Sequence, residues 1–364
     1  MIKKKGKIFV GLSGGVDSSV SAALLKEQGY DVVGVFIKVW QADFLPCTWR
    51  EERRDAMRAA AHLGIPFLTL DLEKEYKQEV VDYMIREYRE GRVPNPDVMC
   101  NKHVKFGAFL DFAKKNYADA IATGHYARAE RDDTDMYRLH KGVDQEKDQS
   151  YFLWTLTQDQ LAHTLFPIGH FEKSEVRKLA KQFGLPNAEK KDSQGLCFMG
   201  AVDMKDFLKH CIKTSPGSVL DVHGNIIGTH EGAMLYTIGQ RHGFHSKKKR
   251  TNELPLFVTS KNIEKNTVTV GPATEVNTLS AETQFNLCDT NWIPPNRQMG
   301  EKHLSYQARI RYRGVLYGAI IHARESTGGI RVTLNTNNEF IAPGQSMVFY
   351  DEDECVGGGI IAEL

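Results

Sequence analysis

A glycine-rich stretch at residues 11–19, between an apolar run and an amphipathic run, constrains the fold more than any other feature. Residues 8–12 are short and apolar, and residues 16–26 have apolar positions at helical spacing, which predicts a strand, a turn and a helix. Glycines let main-chain N–H groups approach an anion closely, and the start of a helix adds positive potential. The stretch therefore predicts a phosphate-binding turn, although an ordinary Gly-Ser helix cap is the alternative.

The first half of the chain alternates strand and helix patterns. The predicted strands are 31–39, 67–71 and 118–123, and the predicted helices are 49–63, 73–89 and 103–116. This order predicts an α/β domain with a parallel sheet covered on both faces. Ligands bind at the carboxyl ends of such strands, so the glycine stretch, Ile37 and residues 123–126 should meet in one crevice.

From about Ser215 onward, glycine-rich turns separate short β-like runs. This pattern predicts one or two small β domains, the last of them a six-stranded barrel or something near it. The length of 364 residues is typical of roughly two to three domains. We expect domains at residues 1–205, 206–280 and 281–364.

Composition sets few limits on function. A net charge of +1 neither indicates nor excludes a nucleic-acid partner. The basic start runs directly into the first strand, and no apolar run reaches membrane length. We therefore expect a cytoplasmic protein without a membrane partner, and nothing in the pattern requires more than a monomer.

The six cysteines are scattered, with neither a Cys-x-x-Cys pair nor zinc-type Cys/His spacing. We therefore expect no metal site and reduced thiols rather than a disulfide scaffold. Two cysteines lie in polar, turn-rich segments. Cys100 follows two prolines that predict a stiff loop, with Asp97 three residues away as a candidate acid or base, and Cys197 lies among lysines and glycines. From these features alone, either cysteine could be a bystander.

Seven motifs, taken in order, resemble those of the tRNA-specific 2-thiouridylases, the MnmA/TrmU family. The first is the glycine stretch, which contains no lysine and so differs from the Gly-x-x-x-x-Gly-Lys-Ser/Thr loop; it resembles the PP-loop of enzymes that adenylate their substrates. The others are residues 95–102, 123–127, 147–153, 191–198, 236–241 and 343–346. The resemblance extends from Lys7 to about Ile361.

The resemblance implies roles for individual residues. The implied ATP contacts are Gly11, Leu12, Ser13, Gly14, Gly15, Val16, Asp17, Ser18, Ile37 and Gly124. The implied catalytic residues are Cys100, Cys197 and Asp97, and the implied contacts to the target base are Asn95, Pro96 and Asp97. The implied tRNA contacts are Lys147, Asp148, Gln149, Arg311 and Tyr312.

The resemblance also implies the chemistry. ATP, with Mg²⁺, would adenylate the C2 oxygen of the wobble uridine in tRNAs for Lys, Glu and Gln. A persulfide on Cys197, loaded by a cysteine desulfurase or a sulfur carrier, would supply sulfur. Cys100 would release a hydrosulfide from it, or resolve a direct attack by the persulfide, and a Cys100–Cys197 disulfide would remain. Adenylation suits this substitution because oxygen alone is a poor leaving group.

Two basic clusters are candidates for binding tRNA phosphates. Arg309, Arg311 and Arg313 alternate on a predicted strand, and residues 247–250 form a basic run; solvated surface is the alternative for each cluster. That basic run replaces a glycine-rich turn common in the family. Cys47 also lies where relatives often have a cysteine, and we assign it to the entry of a helix.

Two other function classes remain open. A PP-loop enzyme acting on a small molecule would need no second cysteine and would exchange ATP with pyrophosphate in the absence of RNA. A non-catalytic tRNA-binding protein would bind tRNA whether or not Ser13, Asp17 or Cys197 is replaced.

Overall fold

The computed structural model describes residues 5–45, 47–192, 203–246, 254–272, 283–295, 304–322, 330–335 and 341–362. The first part contains β1 (Lys5–Gly11), α1 (Val16–Glu27), β2 (Tyr30–Lys38), α2 (Trp49–His62), β3 (Phe67–Asp71), α3 (Glu73–Tyr76) and α4 (Tyr83–Arg89), the last two joined by a π-helical stretch, Lys77–Asp82. It continues with α5 (Pro96–Met99), a π-helical stretch (Cys100–Ala108), α6 (Phe109–Lys115), β4 (Ala120–Ala122), β5 (Ala127–Arg131), β6 (Tyr137–Lys141), α7 (Gln158–Ala162), β7 (Thr164–Leu165) and α8 (Lys173–Gln182).

The predicted parallel sheet is confirmed, with strand order β3-β2-β1-β4-β7. Neighbouring residues of β1 point into two different cores: Phe9 packs with helical residues such as Val80 and Phe109. Ile8 packs with α1 and α2 residues such as Val20. Because successive strand residues face opposite sides, both faces of the sheet are covered, as the uninterrupted apolar strands predict.

The predicted loop around Cys100 is wrong, because the helix begins at Pro96 rather than near residue 103. Asn95 caps the helix by accepting a hydrogen bond from the Val98 N–H at 3.4 Å. Proline is favoured at the first helical position, since its missing N–H would have no partner there and its fixed φ suits the helix. Cys100 therefore lies on a helix, one turn after Asp97.

Two further sheets follow in the second half. The middle region contains α9 (Met204–Cys211), β8 (Gly217–Leu220), β9 (Ile226–His230), β10 (His245–Ser246), β11 (Leu256–Asn262) and β12 (Thr267–Pro272). The last region contains β13 (Thr283–Trp292), β14 (Leu304–Arg309), β15 (Tyr317–His322), β16 (Ile330–Asn335), β17 (Ser346–Asp351) and β18 (Glu354–Ile361). The middle strands form one sheet in the order β10-β9-β8-β12-β11.

The predicted six-stranded barrel is confirmed. Its strands run β13-β16-β15-β14-β17-β18, and β13 pairs with β18 to close it. The hairpin β5–β6 of the first half extends the same sheet, since Glu354 of β18 pairs with His140 of β6. Within the described residues, no helix is both long and apolar enough to cross a bilayer.

Candidate active site

A cavity of about 710 Å³ opens at the carboxyl end of the parallel sheet, where the residues after β1, β2 and β4 meet the helix that carries Cys100. Most of the residues singled out from the sequence line it. They are Gly11, Leu12, Ser13, Gly15, Val16, Asp17, Ser18, Ile37, Asp97, Cys100, Gly124, Lys147, Gln149 and Tyr312. One concave site of this kind can hold a nucleotide and a second substrate together.

The glycine loop forms the predicted turn between β1 and α1. Gly14 has φ +78°, a conformation that glycine adopts without a Cβ penalty. The Gly15 N–H donates to Ser13 Oγ at 3.3 Å, and Ser13 Oγ lies 3.2 Å from Ser18 Oγ. A Cβ on Gly124 would lie 2.7 Å from the Ser18 nitrogen, so glycine at this position lets the loop after β4 lie directly on the start of α1.

Asp17 belongs to an ionic network across the cavity wall. Lys173 Nζ donates to both Asp17 carboxylate oxygens, at 2.7 and 2.8 Å, and the Tyr126 hydroxyl donates to Oδ1 at 3.0 Å. Lys173 also lies 2.9 Å from Asp192. Burial alone would raise the pKa of Asp192, but the hydrogen bonds from Lys173 and Lys147 outweigh it and lower that pKa to about 2. Asp192 is therefore ionised at neutral pH.

Asp97 and Cys100 also line the cavity. Residues three apart on a helix lie on the same face, and both side chains line the cavity. Burial raises the pKa of Asp97, and the nearby charge of Lys105 partly offsets the rise. The Cys100 side chain is buried. A carboxylate whose pKa is raised towards neutrality is better matched to moving a proton at physiological pH.

His125 connects Lys105 to the main-chain segment that bears Gly124. Burial lowers the pKa of His125 well below its usual range, and Lys105 adds to that effect, so the ring is neutral. Lys105 Nζ lies 3.4 Å from Nε2, and Thr123 Oγ1 lies 2.7 Å from Nδ1. Because an ammonium can only donate, Nε2 is the acceptor and Nδ1 carries the proton. His125 thus orients Lys105, and both residues line the cavity.

Several of the predicted tRNA contacts are placed differently from expectation. Lys147 and Gln149 line the cavity, but Asp148 is buried and lies 3.1 Å from Arg309. Its Oδ1 accepts hydrogen bonds from the Gly142 and Ser150 N–H groups. The Asp148 carboxylate therefore faces protein partners in this structure, and the assignment of Asp148 as an RNA contact stays a prediction.

Asn95 and Pro96 also differ from the assignment to the target base. The Asn95 side chain caps α5 and contacts Tyr151, while Pro96 is buried. Neither is among the residues that line the cavity. Of the three residues assigned to the target base, only Asp97 lines the cavity. Asn95 and Pro96 form the start of α5.

The predicted stripe of alternating arginines on a strand is wrong. Arg309 ends β14 and is buried against Asp148. Arg311 and Arg313 lie in the following turn, which is closed by a 3.0 Å hydrogen bond from the Gly314 N–H to the Arg311 carbonyl. Arg313 lines the cavity and Arg311 is exposed. Cys197 and residues 247–250 lie outside the described residues.

Comparison with known proteins matches the whole chain. Family models described as the tRNA methyl transferase HUP domain, the tRNA methyl transferase PRC-barrel domain and the aminomethyltransferase beta-barrel domain match residues 6–201, 205–272 and 282–361. The tRNA-specific 2-thiouridylase MnmA of Lacticaseibacillus paracasei is 45% identical over 98% of this chain and 94% of that protein. MnmA of Streptococcus equi subsp. zooepidemicus and MnmA 2 of Geobacillus kaustophilus are each 44% identical over 98% of this chain and 95% of theirs.

The chain belongs to the MnmA family of tRNA-specific 2-thiouridylases. In this MnmA-family chain, three side chains from the second half of the first domain bind to residues of the glycine loop. Lys173 binds Asp17. Asn187 Nδ2 donates to the Gly14 and Gly15 carbonyls at 3.1 and 3.0 Å, and Lys190 Nζ lies 3.3 Å from the Gly14 carbonyl. Sequence reasoning missed all three, because each lies far along the chain in a segment that signals only helix or turn.

Proposed function

We propose that the protein is an ATP-dependent tRNA-uridine 2-sulfurtransferase that replaces the C2 oxygen of the wobble uridine with sulfur. One observation carries the proposal: a single cavity is lined both by a lysine-free glycine loop and by Asp97 and Cys100. An adenylating site and a thiol that share one cavity suit sulfur insertion better than methyl transfer. The names of the MnmA relatives agree with this chemistry.

The glycine loop is the proposed ATP site. The loop N–H groups and the serine hydroxyls would bind phosphate oxygens at the start of α1, and Lys173 brings a cation that the loop itself lacks. The carboxylate of Asp17 faces the cavity and has the oxygen donors that Mg²⁺ prefers. The C2 oxygen of uridine would attack the α-phosphorus of ATP and pyrophosphate would leave, so that C2 carries an AMP leaving group.

The sulfur step needs two thiols. A cysteine desulfurase or sulfur-relay protein would load Cys197 as a persulfide. The Cys100 thiolate would attack the inner sulfur, forming the Cys100–Cys197 disulfide and releasing hydrosulfide, which displaces AMP from C2. Alternatively the outer sulfur attacks C2 first, and Cys100 then releases the thiolated base. Either order consumes one persulfide, leaves one disulfide for a thiol reductant, and uses Asp97 to move the proton.

The proposed substrates are the anticodon loops of tRNAs for Lys, Glu and Gln. A base in a single-stranded loop turns into a cavity at modest cost. Lys147, Gln149, Tyr312 and Arg313 line the cavity, and Arg311, in the same turn as Tyr312 and Arg313, is exposed. We propose that the chain acts as a cytoplasmic monomer, with its catalytic domain at residues 1–205 and two smaller domains at 206–280 and 281–364.

The proposal is tested by following AMP and pyrophosphate from ATP, with and without unmodified tRNA. We expect formation of both products to require tRNA, and to fall in a Ser13→Ala variant that still binds tRNA. ATP–pyrophosphate exchange without RNA would favour an enzyme acting on a small molecule. Binding of tRNA with no ATP cleavage would favour a non-catalytic binding protein.

A further inference from the structure

Two aromatic rings and an arginine lie together among the residues that line the cavity. The ring centroids of Phe152 and Tyr312 are 4.5 Å apart, with their planes inclined at 44°. The guanidinium carbon of Arg313 lies 5.1 Å from the centroid of the Tyr312 ring. All three residues line the cavity that also contains Asp97 and Cys100. We call these three residues the aromatic shelf.

The aromatic shelf is anchored to the helix that carries the thiol. Asn101, the residue after Cys100, donates from Nδ2 to the carbonyl oxygen of Phe152 at 3.1 Å. Tyr151 lies 6.4 Å from the Tyr312 ring, and its hydroxyl donates to the Ser346 carbonyl at 2.9 Å. The segment that carries Phe152 is thus tied both to the helix of Cys100 and to the barrel.

The turn that carries Tyr312 and Arg313 is conformationally specific. Arg313 has φ +58°, a backbone conformation that few residues other than glycine adopt. A Cβ on Gly314 would lie 2.8 Å from the Cγ of Arg311 and 3.0 Å from its carbonyl oxygen. Unfavourable backbone of this kind tends to occur at ligand sites. The turn holds Tyr312 and Arg313 at the cavity while both shelf rings stay partly exposed.

We propose that the aromatic shelf stacks an unpaired nucleobase adjacent to the modified uridine. This inference rests on the proposed function, since it requires RNA in the cavity. Proteins that recognise single-stranded RNA stack its bases on aromatic rings and on arginine planes. Stacking on the Phe152 and Tyr312 rings does not depend on the identity of the base, because every base has a π-face. Arg313 adds a planar cation that suits both a base face and a phosphate.

The test is a thermodynamic cycle on an anticodon stem-loop RNA. Two further RNAs are made, each with an abasic nucleotide on one side of the target uridine. The dissociation constant of each RNA is measured by fluorescence anisotropy. Phe152→Leu and Tyr312→Leu should each weaken binding of the intact RNA roughly tenfold. Neither should weaken binding of the RNA that is abasic at the stacked position. Phe152→Tyr and Tyr312→Phe, which keep the rings, should bind like the wild-type protein.

Tyr306 provides the control, because its ring packs near Trp292 on the barrel, 6.1 Å between centroids, and does not line the cavity. Tyr306→Leu should leave both dissociation constants unchanged. Equal losses for intact and abasic RNAs at both flanking positions would overturn the inference, as would wild-type binding that does not change when either base is removed. These outcomes leave tRNA-dependent AMP formation intact, so failure of the shelf is distinguishable from failure of the proposed function.

Discussion

Lys173 and Asp17 form a two-point ion pair, with Nζ 2.7 and 2.8 Å from the two carboxylate oxygens. The pair brings a cation from α8 to the first turn of α1, at a glycine loop that has no lysine of its own. Lys173 Nζ also lies 2.9 Å from the Asp192 carboxylate. Asp192 is the last described residue before the segment 193–202, which contains Cys197. The ion pair thus belongs to the nucleotide end of the site.

Replacing Lys173 with Met should reduce ATP-dependent turnover roughly 10²- to 10³-fold, because a positioned charge near developing phosphate charge is lost. Single-turnover release of pyrophosphate measures the effect. Lys178→Met, on the exposed side of the same helix, is the matched control and should leave the rate unchanged. Equal rates for the two variants would exclude Lys173 from the phosphate site.

The rate of thiolation should fall at low pH as Asp97 becomes protonated, which gives the pH–rate profile an acid limb. Burial raises the pKa of Asp97 above its ordinary value of 3.8, and Lys105 opposes the rise. If ionised Asp97 accepts the proton, thiolation increases as pH rises through that pKa. Lys105→Met should move the limb to higher pH and Lys105→Arg should not, as measured by single-turnover rates across pH. A uniform loss in Lys105→Met, with the limb unmoved, would show that the two residues are not coupled.

The Asp97 carboxylate affects stability with the opposite pH dependence, because its contribution favours the folded state at low pH. Folded Asp97 holds its proton more tightly than the unfolded chain does, so its contribution to the free energy of unfolding falls as pH rises from the ordinary value through the raised one. Asp97→Asn should therefore be at least as stable as the wild type at pH 7 while losing about 10²- to 10⁴-fold in rate. Thermal unfolding and thiolation assays measure the two effects, and a destabilised Asp97→Asn would contradict this assignment.

Gly124→Ala should weaken ATP binding, because the new Cβ would lie 2.7 Å from the Ser18 nitrogen and push the loop away from α1. We expect a loss of at least tenfold in affinity, measured by equilibrium binding of ATP. The control is Gly318→Ala on β15, where the nearest atom, Cβ of Asn335, is 3.9 Å away. Unchanged ATP affinity in Gly124→Ala would mean that the loop tolerates displacement.

Serine substitutions of the two proposed catalytic cysteines should block thiolation at different stages. Cys197→Ser should lose persulfide loading and keep tRNA binding, whereas Cys100→Ser should load persulfide and form little product. Intact-protein mass spectrometry detects the persulfide, and gel shift measures tRNA binding. Cys47→Ser, at an exposed position outside the cavity lining, should behave as the wild type. Ordinary thiolation by Cys100→Ser or Cys197→Ser would overturn the assigned roles.

Local sequence patterns predicted the parts of the fold that depend on local periodicity. Four strands of the parallel sheet, the glycine turn and the closed barrel each follow from apolar spacing and turn residues, and all are present; the fifth strand, the two-residue β7, was not predicted. The helix start was harder to predict, because Pro94 and Pro96 indicate a loop by themselves. Asn95 as the cap makes Pro96 the first helical residue instead.

The site depends on contacts that no local pattern contains. Lys173, Asn187 and Lys190 reach the glycine loop from more than 150 residues along the chain. The sequence pattern predicted Arg309 as a surface cation, whereas the structure buries it 3.1 Å from the carboxylate of Asp148, a partner 161 residues away. Phe152 appeared within a motif, but only its contact with Tyr312 from the barrel gives it a place in the cavity.

Nucleoside mass spectrometry after a reconstituted reaction tests the central claim most directly. Purified protein is incubated with unmodified tRNA for Glu, ATP, Mg²⁺, cysteine, a cysteine desulfurase and a thiol reductant, with ATP omitted in a parallel sample. We expect 2-thiouridine at the wobble position, formed only when ATP, Cys100 and Cys197 are all present. Product formed without ATP, or no product from protein that binds the tRNA and carries the persulfide, would contradict this expectation.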